Sequence, residues 1–417
     1  MAAHFSRVEN DWAALVCLAF PLLLFIRKQW ILKIFQLFLL AGGVVWLERV
    51  VVLVEARQQQ NMPWLRLAVI LGLVALFTFW SAWVLRGRYF KEKYSGDWLP
   101  QVSAVLLTTV LLTIAHLKVS VPILMLERFL PGSAVVEIVV LGLYAGWVLN
   151  AMLDVNNTSR VRTRIWVFFS LVFFLQFFLG ISGLSIFLMT GKLHLPIPAL
   201  IAAGPVFRGA GFFMPILFAI TVLLVGPAWC SHLCYFGAWD NVAARRKPTS
   251  KPLPPWAKIA RLALLPLVLI VALILRLLGV GSFAAGIAAI AFGVVGVGIM
   301  IWISRRLGVM THCAVYCPIG LLAGWLGKLS PFRVTLNSAC DGCGACRLSC
   351  RYNALNRDDI DRRKPALSCT LCGDCLPSCP NEAINYSFFN LDPRQARIVF
   401  LVLAVALHAV FLGVARI

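Results

Sequence analysis

Two cysteine runs carry the clearest chemistry in the chain. Cys340-x2-Cys343-x2-Cys346-x3-Cys350 is followed by Cys369-x2-Cys372-x2-Cys375-x3-Cys379-Pro380. Three thiolates at this spacing wrap one iron–sulfur cube from a single loop, and the fourth Cys of each run ligates the other run's cluster. The spacing therefore predicts two 4Fe-4S clusters. The first falls to Cys340, Cys343, Cys346 and Cys379, the second to Cys369, Cys372, Cys375 and Cys350. A structural zinc site pairs two separated C-x2-C hairpins instead, and a disulfide framework belongs to small secreted domains. Gly342, Gly344, Ala345 and Gly373 suit crowded ligand loops. Arg351 follows the first run where Pro380 follows the second.

Two shorter motifs precede these runs. Cys230-x3-Cys234-x2-Gly237 and Cys313-x3-Cys317-x2-Gly320 each follow a pair of apolar segments, which reads as an internal duplication. A spacing of i, i+4 puts both thiols of a motif on one helical face. Brought together, Cys230, Cys234, Cys313 and Cys317 make a candidate third centre. It could be an iron–sulfur cluster, another thiophilic metal site or redox-active thiol pairs; the plain alternative is buried cysteines packing as small hydrophobes. His232 and His312 adjoin the motifs, as hydrogen-bond donors to sulfur or as simple interfacial residues. Cys17, alone in an apolar segment, reads as a packed core thiol.

The elements that must position these groups are membrane helices. Of 417 residues, 61% are hydrophobic and only 13% charged, about half the charge of a soluble protein. That excludes disorder and an ordinary soluble enzyme. Ten spans are expected, at 12–26, 31–54, 64–85, 101–126, 133–153, 164–189, 210–228, 256–279, 282–304 and 397–415. The first runs into Arg27 and Lys28 rather than a small-residue cleavage site, so it reads as a retained helix. Between 305 and 396 the apolar runs stop. The expected fold is an all-α polytopic membrane protein with a small α+β insert of the bacterial two-cluster ferredoxin kind. The domains are 1–158 (five helices of unknown function), 159–329 (a duplicated four-helix core), 330–392 (the insert) and 393–417 (a final span). An amphipathic stretch, Pro318 to Ser330, is expected to lie on the membrane surface.

Most of the 38 Lys and Arg residues fall in loops on one face. By the positive-inside rule that face is cytoplasmic, which puts the insert inside and both termini outside the inner membrane. The net charge of +21 then reflects topology and attraction to anionic membrane lipid. No basic module interleaved with aromatics suggests nucleic acid. There is no C-x-x-C-H for covalent haem. Bis-His haem would need His116 and His408 to face each other, and Glu137 with His116 is a candidate proton path.

Together the spans, the two C-x3-C motifs and the paired four-cysteine runs resemble the membrane polyferredoxin family of the NapH, NosR and MauN type, over about residues 160–390. The resemblance implies electron transfer between the quinone pool, or a cytoplasmic donor, and partner subunits of a periplasmic or membrane redox system. The chain then acts as an electron-transfer subunit, as a quinol dehydrogenase would, rather than as an enzyme with its own small substrate. Tyr235 stands where the family's first motif has Pro, and no N-terminal flavin-binding domain of the NosR kind is present. Two other readings remain: a reductant for maturation of a metallocofactor, and a redox-responsive sensor or transporter.

Overall fold

The computed structural model describes residues 20–21, 29–87, 98–119, 121–187 and 195–414. Of the expected first span at 12–26 only residues 20–21 are described; Cys17 lies outside the described residues, as do Arg27, Lys28, Arg88, Lys91 and Lys93. Among the described residues nine helices are long and apolar enough to cross a membrane, consistent with an integral membrane protein. The chain divides into two compact units, Met1–Leu99 and Pro100–Ile417.

The first unit pairs α1 (Gln29–Gln59) with α2 (Leu65–Val84). The Phe79 ring lies where a Cβ on Gly43 would stand, 2.6 Å away, so the missing side chain sets how closely the two helices approach.

The second unit begins with α3 (Leu99–Lys118), α4 (Met125–Phe129), α5 (Ala134–Leu153) and α6 (Val155–Ile181). Expected over 164–189, the sixth span starts nine residues earlier. Asp154 caps it by accepting the Asn156 N–H at 3.0 Å, so Arg160, Arg162 and Arg164 ride on the helix instead of in a loop. The boundary drawn at 158/159 falls inside this helix. Next come α7 (Leu200–Arg208), α8 (Phe213–Val225), α9 (Tyr235–Ala244), α10 (Trp256–Leu277), α11 (Ser282–Ile299) and α12 (Pro318–Leu326). The insert adds β1 (Phe332–Leu336), α13 (Ala345–Ser349), α14 (Arg357–Asp361) and β2 (Ile384–Phe388), and α15 (Pro393–Val414) returns through the membrane core.

The spans of α5, α6, α8 and α15 are the most buried, whereas α10 and α11 leave most of their residues uncovered by the protein. Helix α12 is not a surface helix. Pro318, Ile319, Leu321, Ala323 and Gly324 are buried against α8 and α10. Its small residues permit this, since a Cβ on Gly324 would meet the Leu367 carbonyl at 2.7 Å. His408 on α15 is fully buried. One ring nitrogen meets the Tyr144 hydroxyl and the other the His232 carbonyl, both at 3.1 Å. With both nitrogens engaged it is a hydrogen-bonded core residue and no haem ligand. His116 pairs with Glu127 at 3.1 Å. Glu137 accepts the N–H groups of Met125 and Leu126, so the two groups of the candidate proton path each have a separate partner.

β1 and β2 pair antiparallel from Phe332↔Phe388 to Leu336↔Ile384. Phe332, Val334 and Leu336 alternate inward on β1, as Ile384 and Tyr386 do on β2, the period of a half-buried strand. Their cover is α15: the Phe400 ring lies 5.6 Å from Phe332 and 5.0 Å from Tyr386. One core thus runs from the insert into the final span.

Candidate functional site

The two C-x3-C motifs adopt one geometry. Each first Cys lies on a π-helical turn, Trp229–Leu233 and His312–Tyr316. The N–H of the second Cys reaches back five residues, Cys234 to Trp229 at 3.0 Å and Cys317 to His312 at 2.7 Å. Both second cysteines are extended, at φ −80, ψ 107 and φ −78, ψ 115, and each caps the next helix, α9 or α12. A regular i, i+4 helical face is therefore replaced by a wider turn, of the kind common at functional sites. The trailing glycines follow from it. A Cβ on Gly320 would lie 2.6 Å from the Cys313 carbonyl, and one on Gly237 3.1 Å from that of Cys230. Tyr235 and Pro318 occupy the same first helical position, where the backbone N–H has no intrahelical partner, so the departure from Pro leaves the turn unchanged.

These turns bring Cys230, Cys234, Cys313 and Cys317 within electrostatic reach of one another. Burial pushes the Cys317 thiol up to about 12. Cys313 is pushed up further by burial, by the Asp240 carboxylate and by the other three thiols. Such thiols stay protonated and inert unless a cationic centre displaces the protons. Asp240 is fully buried on α9 and accepts the Cys313 N–H at 2.9 Å, which joins the two motifs; burial raises its carboxyl to about 6. His232 bonds to Ser231 at 3.0 Å rather than to sulfur. His312 packs against Phe236 and Tyr316, and its Nδ1 has no partner.

In the insert the two cysteine runs repeat each other at the level of single dihedrals. Gly342 and Leu371, each the second residue after the first Cys, sit at φ 74 and 55; Gly344 and Gly373 sit at φ 75 and 77. Two backbone N–H groups point at sulfur in matching positions, Ala354 at Cys350 (3.2 Å) and Ala383 at Cys379 (3.3 Å). Burial pushes Cys346 up to about 11, helped by the neighbouring thiols of Cys379, Cys340, Cys343 and Cys350. Cys375 is pushed up by burial and by Cys372, Cys350 and Cys369. The structure thus brings Cys379 to the first run and Cys350 to the second.

Residues not singled out in the sequence join the second run to the membrane core. Asp374, between Cys372 and Cys375, receives both Arg162 at 2.7 Å and Arg245 at 2.7 Å. Arg162 has no exposed surface and also donates to the Ser231 carbonyl at 2.9 Å, on the first π-turn. The Ser231 hydroxyl in turn donates to the Thr370 carbonyl at 3.0 Å, and the Tyr352 hydroxyl to that of Cys230 at 3.0 Å. Cys230, Cys313 and Cys369 line one small cavity with Arg261. Arg351, where a trailing Pro was absent, donates to the carbonyls of Gly308 and Pro248. An acid inside a C-x-x-C, Asp374, was the one trace of this network in the sequence.

Among the described residues no three His, Cys, Asp or Glu side chains are placed to hold one metal ion. No disulfide joins any of the twelve described cysteines.

A family model described as a 4Fe-4S binding domain matches residues 207–252 and 289–337. These stretches contain the two π-turns with Cys230, Cys234, Cys313 and Cys317, and end before Cys340. The chain is 24% identical over 229 residues to a protein of Escherichia coli (strain K12) named "Putative electron transport protein YccM", across 48% of this chain and 59% of that one. It is 24% identical over 79 residues to "Uncharacterized protein MJ0750" of Methanocaldococcus jannaschii, across 19% of this chain and 32% of that one. The chain thus spans less than two thirds of the curated relatives it matches. No solved structure matches. The similarities are thus to a 4Fe-4S binding domain and to a protein named for electron transport.

Proposed function

We propose that the chain is a membrane-bound iron–sulfur electron-transfer subunit of the NapH and NosR type. Cys340, Cys343, Cys346 and Cys379 hold one 4Fe-4S cluster, Cys369, Cys372, Cys375 and Cys350 a second, and Cys230, Cys234, Cys313 and Cys317 a third centre of the same kind. The observation that carries the reading is the contiguity of the three ligand sets. Cys350 lies between the two runs, and Tyr352, Ser231 and the shared cavity connect the second run to the π-turns. Clusters supply one-electron chemistry with little rearrangement. The protein residues fix the spacing, exclude water from the inner sets and place Arg162, Arg245 and Arg261 near the thiolates. The inner set ends at the membrane core, where a quinone or a partner redox subunit exchanges electrons. The insert faces the cytoplasm and both termini lie outside.

Iron and sulfide analysis with EPR on anaerobically purified protein tests this reading. About twelve iron atoms per chain are expected for three cubes. Replacing Cys230 and Cys313 together with Ser removes about four and stops turnover with quinol, while the two signals of the insert persist. Stoichiometric zinc without iron, or a double variant with full iron and full turnover, overturns it. Reporter fusions at 240–250 and 340–390 should read cytoplasmic; an outside signal reverses the proposed orientation.

A further inference from the structure

A groove of about 460 Å³ belongs to none of these ligand sets. It lies between α6, α9 and the end of α11, and Val167, Leu171, Trp239, Val242, Val297 and Ile301 form its apolar walls. Leu171, Trp239, Val242 and Ile301 are all exposed; Leu171 and Ile301 stand within membrane spans, where such exposure means contact with lipid. The groove therefore opens sideways, within reach of acyl chains.

Its polar inventory decides what it can hold. The Trp239 indole N–H donates to the Ser170 hydroxyl at 2.9 Å, and that hydroxyl donates to the Tyr235 carbonyl at 2.8 Å. Both protons are used, which leaves no free neutral donor for a quinone carbonyl inside. The charged lining residues are Arg246 and Arg305, both exposed. Neither guanidinium has an ion-pair or hydrogen-bond partner among the described residues, and no acid lines the groove. Arg305 stands in the last turn of its span, the depth of lipid headgroups. Two unpaired guanidiniums beside an apolar trough match an anionic head on an apolar tail, the arrangement by which basic pockets between spans take acidic lipids.

We propose that this groove is a binding site for one anionic phospholipid, with the phosphate on Arg246 and Arg305 and an acyl chain along Leu171, Trp239 and Ile301. The site is independent of the cluster assignment.

The full chain, with its iron, is placed in nanodiscs of phosphatidylcholine containing phosphatidylglycerol, released, and weighed by native mass spectrometry. One phosphatidylglycerol per chain is retained in preference to phosphatidylcholine. In Arg246→Gln/Arg305→Gln that preference falls about thirtyfold, as two lost surface cation contacts predict. Arg246→Lys/Arg305→Lys keeps most of it. Ala243→Phe, which fills the trough and spares both arginines, loses the lipid, and so tests the site even where the Gln variant fails to fold. Millimolar inorganic phosphate does not displace the lipid. Equal retention of both lipids by wild type, unchanged preference in a folded Gln variant, retention in Ala243→Phe, full displacement by phosphate, or a retained quinone each overturns the proposal.

Discussion

The two cysteine runs of the insert share a backbone and differ in everything around it. In the first, Cys343 is exposed, and a Cβ added to Gly342 or Gly344 would meet nothing within 4 Å. In the second, Leu371 replaces the first of these glycines, keeps the left-handed φ of 55, and is 4% exposed. That conformation costs a side-chain-bearing residue roughly 1–2 kcal/mol. It is held by burial, by the Tyr386 hydroxyl on the Leu371 carbonyl at 2.6 Å, and by the absent side chain of Gly226, whose Cβ would lie 2.8 Å from Leu371. The same loop thus serves once as an open edge and once as a docked plug. The difference teaches that spacing sets the backbone of a cysteine loop, while the neighbours decide which run meets solvent and which is docked on the helices.

The largest effect that sharpens this contrast is at Arg162. Arg162→Gln leaves Asp374 buried with one cation instead of two and strips the donor from Ser231. A loss of about 3 kcal/mol is expected, as for a broken buried pair. On heating with a chelator, the cluster of the second run should bleach well before that of the first; simultaneous loss from both would break the comparison. Glycine substitutions come next. Gly344→Ala and Gly373→Ala carry the same left-handed penalty, but the added methyl at 373 also meets the Tyr386 hydroxyl at 3.0 Å. Gly373→Ala should be the less stable by about 1 kcal/mol, read from denaturant midpoints of the iron-loaded proteins. Equal midpoints would mean that the second loop is no more confined than the first. The smallest effect is electrostatic. Arg245 is partly exposed, at 28%, so Arg245→Gln should lower the reduction potential of the second-run cluster slightly, and less so at high salt. EPR-monitored titration reads both clusters, and the first should stay where it is; a shift of the first alone would reverse the assignment.

How far the sequence reaches follows from the same particulars. The spans were readable because apolar length is a local signal, and the cysteine spacings because one loop must wrap one cube. The start of α6 was not, since Asn156 to Arg164 looks like a polar loop and becomes helix only because Arg162 finds Asp374 and Ser231 far along the chain. Pro318–Leu326 has the pattern of a surface helix, and only the approach of Leu367 to Gly324 shows it to be packed inside. The π-turn also left no local trace, yet it accounts for the glycine two residues beyond each C-x3-C. His408 read as a hydrogen-bonded core residue rather than a haem ligand, and Glu137 as a candidate proton group; their partners are a tyrosine, a backbone carbonyl and backbone N–H groups that no spacing rule reveals.

Helix α15 has one more consequence, for biosynthesis. Phe400 covers Phe332 and Tyr386, Phe411 packs edge-on against Trp229 at 5.2 Å, and Arg397 donates to the carbonyls of Met152 and Leu153. The insert, the first π-turn and α5 therefore all await a segment that follows every cysteine in the chain. Until Pro393–Val414 packs, the inward face of β1 and β2 has no cover. A chain that stops before Pro393 holds every one of its cysteines and lacks the helix that covers β1 and β2.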